Sequence, residues 1–285
     1  EPAAFDAKRA MDYLKALCKI GPRISGSEGM KKQQEMLEKH FKEHGGHIEW
    51  QRFTATQRSE RKDVAMANLI VSWHPDRPRR VILCSHYDTR PHADEEHNPA
   101  QWRQPFLSAN DGGSGVALLM ELAHHMKDLK LQAGVDFVFF DGEEYVFDKD
   151  DKYFFGSEHF GRDYRRSRQA DGKKFYGAAV LLDMVGGKKA RFPVEPHSWE
   201  SAGALVKAIW GIAAELKCTA FDGGSFGAAV QDDHLALNRN GIPAIDIIDF
   251  SYPHWHKLSD VPENCSGESL AQVAKVLSVW LQRVR

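Results

Sequence analysis

The sequence predicts an α/β fold, a three-layer sandwich in which helices cover both faces of a mostly parallel central sheet. From residue 65 onward the chain contains short, wholly apolar runs, which are typical of strands buried on both faces. Helical stretches separate these runs, and that alternation favours parallel crossovers. The predicted strands are residues 68–73, 81–84, 135–140, 178–182 and 244–248.

The N-terminal part of the chain is predicted to form two helices and one strand. Asp6 is a candidate N-cap for the first helix and Ser27 for the second, and a Gly-Pro pair and a Gly-Gly pair follow them as stop signals. Residues 48–53 alternate between apolar and polar side chains, which is typical of a strand with one exposed face.

Three further helices are predicted from apolar residues at three- and four-residue spacing, at 115–129, 202–216 and 269–284. The chain has no internal repeat, low-complexity tract or long linker, so residues 1–285 are expected to form a single domain. The pair His124-His125 falls within the predicted helix 115–129 and is interpreted as a surface feature. The arginine-rich stretch 162–168 is interpreted as a solvated face.

The composition excludes several classes of protein. The 285 residues include 38 Lys+Arg and 40 Asp+Glu, and this absence of a basic excess argues against nucleic-acid binding. A membrane-spanning helix needs about 20 apolar residues, far more than any apolar run here. Four scattered cysteines exclude a disulfide scaffold and argue against a cysteine zinc site. The chain begins at Glu1 instead of a methionine, so a secreted or periplasmic protein with an upstream segment removed is expected.

Histidines and acidic residues follow the ends of the buried runs. In open α/β sheets, ligands bind outside the carboxyl ends of the strands, so these side chains are expected to meet at one rim. A further acid lies just before the helix that begins near Ser114. The candidate residues are His86, Asp111, Glu143, Glu144, Asp183 and His256.

Each of these residues also has a simpler interpretation. An Asp at the end of a strand often forms a turn, Asp111 is a possible helix cap, and Glu143 and Glu144 form a possible solvated pair. Their joint arrival at one rim favours a site. Imidazole and carboxylate ligands without cysteine point to a catalytic zinc with an open position. Two adjacent acids suit a division of labour in which one binds metal and the other moves protons.

The motifs that carry these residues resemble those of the zinc aminopeptidase superfamily, which includes the glutaminyl cyclases. The resemblance extends from about residue 81 to residue 264 and implies a zinc exopeptidase-like fold. Together the motifs are highly specific for the superfamily, whereas any one alone is weak. They are His86-Tyr-Asp, Asn110-Asp-Gly-Gly-Ser-Gly, Asp141-Gly-Glu-Glu, Leu182-Asp-Met-Val-Gly and Trp255-His.

Three features look more like a glutaminyl cyclase than a peptidase. Gln231-Asp-Asp-His resembles the cyclase motif whose first acid, Asp232, pairs with Asp183 at a strand end. Trp255, directly before His256, resembles the cyclase indole that lines the substrate pocket. The sequence motifs around His86 and Asp183 look most like those of the bacterial branch of the animal-type cyclases.

This resemblance implies zinc-dependent cyclisation of N-terminal glutaminyl residues of peptides or proteins to pyroglutamate, with release of ammonia. One zinc per chain is expected. The implied ligands are Asp111, Glu144 and His256, the implied general acid/base is Glu143, and Asp183 and Asp232 would share a proton beside the substrate. Gln231 and Trp255 are the implied substrate-binding residues.

A metallo-aminopeptidase is the alternative, in which Glu143 activates a metal-bound water. There a second metal would be held by His86, Asp111 and Asp183. A catalytically silent binding protein is a third possibility, against which the intact ligand set argues. The chain also departs from animal cyclases after the glutamate pair, where residues 145–149 read Tyr-Val-Phe-Asp-Lys and supply no second pocket tryptophan.

Overall fold

The computed structural model describes residues 1–172 and 174–285. Its strands are β1 (His47–Thr56), β2 (Asp63–Trp73), β3 (Arg79–His86), β4 (Gly134–Phe140), β5 (Phe175–Asp183), β6 (Phe192–Val194), β7 (Phe221–Phe226) and β8 (Ala244–Ile248). Its helices are α1 (Ala7–Lys19), α2 (Glu28–Glu43), α3 (Ser114–Ala123), α4 (Phe155–Ala170), α5 (Pro196–Glu215), α6 (Asp233–Arg239) and α7 (Gly267–Arg283).

Six strands form the central sheet, in the order β1-β2-β4-β3-β5-β8, and β6 pairs with β7 in a separate two-stranded sheet. The pairs β3–β4, β3–β5 and β5–β8 are parallel, whereas β2 is antiparallel to both β1 and β4. Only β2 therefore runs against the other five strands, and the predicted mostly parallel sheet is confirmed. The short connection between β2 and β3, residues 74–78, contains no crossover helix.

Strands β2, β3, β4, β5 and β8 are largely buried on both faces, and their alternate residues belong to different cores, whereas the edge strand β1 is mostly exposed. In β4, Phe137 and Phe139 pack in the larger core with α1, α2, α3, α5 and α7. Val138 and Phe140 pack in a second core with α4 and α6. This alternation follows from the two-residue period of a strand. The predicted three-layer α/β sandwich is confirmed.

The N-terminal helices begin where the sequence predicts. The side chain of Asp6 accepts a hydrogen bond from the backbone N–H of Arg9, and Ser27 accepts one from that of Met30. The later boundaries are less accurate, because α3 ends at Ala123 instead of residue 129, and α5 begins at Pro196 with non-helical backbone at Ala202.

The sequence analysis did not predict α4, α6, β6 or β7. Helix α4 contains the arginine-rich stretch, whose arginines are exposed as expected, and it buries only a narrow stripe that includes Phe160 and Tyr164. Helix α6 is too short for periodicity to reveal. Among the helices of the described residues, none combines the length and apolar character required to cross a membrane.

Candidate active site

A cavity of about 400 Å³ opens at the carboxyl ends of the parallel strands. Every predicted site residue except His86 lines it, and His86 is buried against several of those residues. Residues from separate segments thus meet at one rim, as the sequence predicts. The predicted residues that line the cavity are Asp111, Glu143, Glu144, Asp183, Gln231, Asp232, Trp255 and His256.

Asp111, Glu144 and His256 form one compact group of buried side chains. His256 Nε2 lies 3.2 Å from a carboxylate oxygen of Glu144 and 3.6 Å from one of Asp111. One candidate ligand atom from each residue lies within 4.8 Å of the other two. The other ring nitrogen of His256, Nδ1, lies 2.9 Å from Oδ1 of Asp94, which in turn pairs with Arg90. This contact orients the imidazole and directs Nε2 towards the two carboxylates.

The loop that carries Asp111 is held by hydrogen bonds from its backbone to the side chain of Asp260. The carboxylate of Asp260 accepts from the backbone N–H of Asn110 at 2.9 Å and from that of Asp111 at 3.2 Å. Helix α3 has Gly113 at its N-cap and no side-chain cap, so the side chain of Asp111 does not cap it. Gly112 has a φ of +70°, and a Cβ there would lie 2.6 Å from the carbonyl oxygen of Asp88. Glycine is therefore required at this turn.

A second carboxylate fixes the turn that carries the two adjacent glutamates. Asp88 accepts hydrogen bonds from the backbone N–H groups of Glu143, at 3.0 Å, and Glu144, at 3.2 Å. Burial raises the pKa of Glu143 well above its usual value, and the charge of Glu144 adds to this effect although His86 opposes it. A buried carboxyl with a raised pKa is suited to accept and return a proton near neutral pH.

The imidazole of His86 lies between the carboxylates of Asp111 and Asp183. Its Nε2 lies 3.0 Å from Oδ1 of Asp111 and 3.4 Å from Oδ1 of Asp183. Burial alone would lower the pKa of His86, but the hydrogen bond with Asp111 and the nearby carboxylate of Asp183 outweigh it and raise the pKa well above its usual value. These three residues also form a group able to hold a metal ion.

Two further buried acids lie near Asp183: Asp232, which the sequence analysis named, and Asp246, which it missed. Burial raises the pKa of Asp232 to about 7, and the charge of Asp183 contributes. Asp246, in β8, is fully buried, and one of its carboxylate oxygens lies within 4.8 Å of an oxygen of Asp232. The sequence contains a usable signal for it, an acid inside an otherwise apolar strand. The predicted direct hydrogen bond between Asp183 and Asp232 stays a prediction.

Aromatic side chains form the rim of the cavity. The ring of Trp255 stacks on that of His256, with centroids 4.0 Å apart, and Phe250 lies 5.1 Å from Trp255. Tyr153 and Phe154 line the wall near the glutamates. Tyr145 does not take the place of a second pocket tryptophan, because its side chain packs in a separate apolar cluster with residues of β1 and β2.

The chemistry of the donor set fits a catalytic zinc. Imidazole nitrogen and carboxylate oxygen both bind zinc, and catalytic zinc sites use three protein ligands and keep a fourth position open. Such sites hold the second nitrogen of the ligand histidine with a carboxylate, as Asp94 holds His256. His256 also has a left-handed φ of 53°. Strained backbone of this kind concentrates at functional sites.

Comparisons with known proteins identify the family of the chain. Residues 68–281 match peptidase family M28. The glutaminyl cyclase of Fimbriiglobus ruber is 47% identical in sequence, with 100% of this chain and 97% of that one covered and a TM-score of 0.96. A leucine aminopeptidase precursor from Bacteroides thetaiotaomicron is 27% identical, with 100% and 99% covered and a TM-score of 0.92.

A curated relative from Bos taurus, a glutaminyl-peptide cyclotransferase, is 24% identical over 76% of this chain and 66% of its own length. The chain thus spans slightly less than two thirds of that relative. The match to the family covers most of the chain, and the bacterial cyclase combines high identity with nearly complete coverage. The chain therefore belongs to peptidase family M28, in its glutaminyl cyclase group.

Proposed function

We propose that this protein is a glutaminyl-peptide cyclotransferase that converts N-terminal glutaminyl residues of peptides or proteins to pyroglutamate and releases ammonia. One observation carries the proposal. The metal-ligating, proton-transferring and substrate-binding residues expected of a cyclase line a single cavity, in a chain that is 47% identical to a bacterial glutaminyl cyclase.

The reaction needs a group that moves one proton from one nitrogen to another. The substrate's α-amine attacks its own γ-amide carbonyl carbon, a C–N bond forms, and the bond to the amide nitrogen breaks. Glu143 takes the proton that the α-nitrogen loses and returns it to the departing nitrogen, which leaves as ammonia. The raised pKa of Glu143 suits both steps.

Asp111, Glu144 and His256 would hold the zinc. A zinc ion there supplies Lewis-acid polarisation of the γ-carbonyl when it is bound. Asp94 keeps the imidazole of His256 in the tautomer that presents Nε2, and the backbone N–H of Arg90 donates to Glu144 at 3.0 Å. These contacts fix the ligands before substrate arrives.

Asp183 and Asp232 would bind the polar end of the substrate. The raised pKa values of both groups support a shared proton near neutral pH, because two close, buried carboxylates do not both ionise readily. A protonated carboxyl can donate to the substrate amide while its partner accepts. Trp255 would pack on the aliphatic part of the glutaminyl side chain, and Gln231 would contact the adjacent backbone.

A metallo-aminopeptidase is the alternative function. It is favoured by the proximity of His86 to both Asp111 and Asp183, which could hold a second metal, and by the likeness to a leucine aminopeptidase precursor. In that enzyme Glu143 would activate water for attack on the first peptide bond.

Mass spectrometry of one peptide separates the two activities. After incubation with the protein, a peptide that begins with glutamine is expected to lose ammonia and keep all its residues. The same peptide with leucine in place of glutamine is the control, and it is expected to stay unchanged. Release of the first residue from either peptide would contradict the cyclase.

The number of metal ions at the catalytic centre gives an independent test. One zinc is expected there, because the substrate's own amine is the nucleophile and no second metal is needed to generate hydroxide. We expect wild type and His86→Ala to retain the same amount of zinc in elemental analysis. A loss of one equivalent in His86→Ala would assign His86 to a second metal and support the peptidase.

Asp94 provides a test of the ligand arrangement. Removing a carboxylate that orients a ligand histidine typically lowers metal affinity 10–100-fold, so Asp94→Ala is expected to weaken zinc binding by about that factor. Competition with a chelator measures this affinity. Asp150→Ala, in an exposed part of a nearby loop, is the control. Unchanged affinity in Asp94→Ala would contradict the assigned role.

We also propose that residues 1–285 form one catalytic domain. Helices α1 and α7, from opposite ends of the chain, pack in the same core as the central strands, which supports this. A secreted or periplasmic location stays a prediction, and fractionation of the source cells would test it.

A further inference from the structure

Three histidines meet at the end of α3 that is far from the proposed zinc ligands. His40 and His44 lie in and just after the last turn of α2, and His124 directly follows α3. Because α3 has ten residues and a helix rises about 1.5 Å per residue, His124 lies roughly 15 Å from the loop of Asp111. The sequence analysis placed His124 on the surface within a helix, and this is wrong, because the side chain is half-buried against other rings.

The three imidazoles are close enough to share one ligand. The ring centroid of His44 lies 4.4 Å from that of His40 and 4.0 Å from that of His124. Nε2 of His44 lies 3.2 Å from Nδ1 of His124. One nitrogen from each of the three rings lies within 4.8 Å of the other two. Small side-chain rotations would bring the three atoms to the spacing of one coordination sphere.

Each ring has one nitrogen held by an oxygen of the protein. Nε2 of His40 lies 2.8 Å from the carbonyl of Met120, Nδ1 of His44 lies 2.8 Å from the carbonyl of His40, and Nε2 of His124 lies 2.7 Å from the hydroxyl of Tyr13. Carbonyl oxygens only accept, so neutral His40 and His44 have a lone pair on the other nitrogen. His124 has one on Nδ1 when its Nε2 donates to Tyr13, and a metal ion would replace the hydrogen bond between Nε2 of His44 and Nδ1 of His124. Histidine ligands of metals are typically oriented in this way.

The surroundings of His40 and His124 favour the neutral ring, which is the form that binds metal. Burial lowers the pKa of His40 to about 4, and the neighbouring histidines contribute. Burial and His44 also lower the pKa of His124. The acid that acts on both His40 and His124, Glu121, is already paired with Arg9 and with His125. The rings are therefore not held by a carboxylate, and a neutral imidazole is the state that coordinates a metal.

We propose that His40, His44 and His124 bind a divalent transition-metal ion such as Zn²⁺, separately from the catalytic centre. Three imidazoles without carboxylate or thiolate suit zinc, nickel or copper and do not suit magnesium or calcium, which prefer oxygen. Water would complete a four-coordinate site. The ion would connect α2 to the end of α3, and through Tyr13 it would also stabilise α1. Its role is in stability, and it would be additional to the catalytic zinc.

Zinc titration of protein already loaded at the catalytic centre tests this proposal. In calorimetry, wild type is expected to bind one further equivalent of Zn²⁺, and His44→Ala and His124→Ala are expected to bind none. At about 100 times the dissociation constant, zinc is expected to raise the unfolding midpoint of wild type by about 5 °C or more and to leave the midpoint of both variants unchanged. Cyclising activity should stay the same in all three proteins.

His47→Ala is the matched control, because His47 is exposed and only three residues beyond His44. It is expected to behave as wild type. If wild type binds no further zinc, or if both variants bind as much as wild type, the histidines form only a hydrogen-bonded cluster and the proposal is overturned. Normal cyclising activity shows that His44→Ala is folded, so an active variant with no second binding event separates the two interpretations.

Discussion

Glu143→Gln is expected to keep its zinc and to lose about 10²–10⁴-fold in turnover. The amide has nearly the shape of the carboxyl group and leaves Asp111, Glu144 and His256 in place, but it cannot carry a proton between the two substrate nitrogens. Turnover of a glutaminyl peptide and zinc content of the same preparation are the two measurements.

Glu35→Gln provides the control for Glu143→Gln, because Glu35 is exposed on α2, away from the cavity. It should match wild type in both measurements. If Glu143→Gln lost its zinc, Glu143 would be a ligand and Glu144 would become the candidate for proton transfer. Full activity in the variant would remove Glu143 from the mechanism.

His256→Ala is expected to lose bound zinc and to reduce cyclisation to the background rate. The variant removes the only imidazole among the three proposed ligands, and two carboxylates are fewer than the three protein ligands of a catalytic zinc site. Elemental analysis after dialysis reports the zinc, and ammonia release from a glutaminyl peptide reports the activity.

His254→Ala is the matched control for His256→Ala. His254 lies two residues earlier, is also partly buried and contacts Ser259 instead of the cavity. We expect it to keep both zinc and activity. Retention of zinc with full activity in His256→Ala would refute the ligand assignment.

The central sheet and the main helices could be predicted from the sequence, because the apolar runs, helical periods and caps that indicate them are local and repetitive. Five apolar runs became β2, β3, β4, β5 and β8, and the caps at Asp6 and Ser27 begin the first two helices. Helix α4 was missed because its exposed arginines hide a narrow apolar stripe around Phe160. The seven-residue α6 is too short to show a helical period.

The residues at the rim of the cavity could also be predicted, because the carboxyl ends of parallel strands meet at one edge of a sheet. Any acid or histidine that follows a buried run is thus brought towards its counterparts. The residues that hold the site in place carry no such signal. Asp260 bonds to the backbone of Asn110 across 150 positions of sequence, and Asp94 reaches His256 from a loop without periodicity.

By itself, the sequence determined the layered α/β architecture, the residues delivered to the rim and the resemblance to the glutaminyl cyclases. These depend on periodicity and on motifs, both of which are contained in short stretches of chain. Tertiary structure alone decided that β2 runs against its neighbours, that Asp246 lies beside Asp232, and that His124 meets the histidines at the end of α2. Such contacts join residues far apart in the chain, and they exist only where the packing of the sheet and helices brings those residues together.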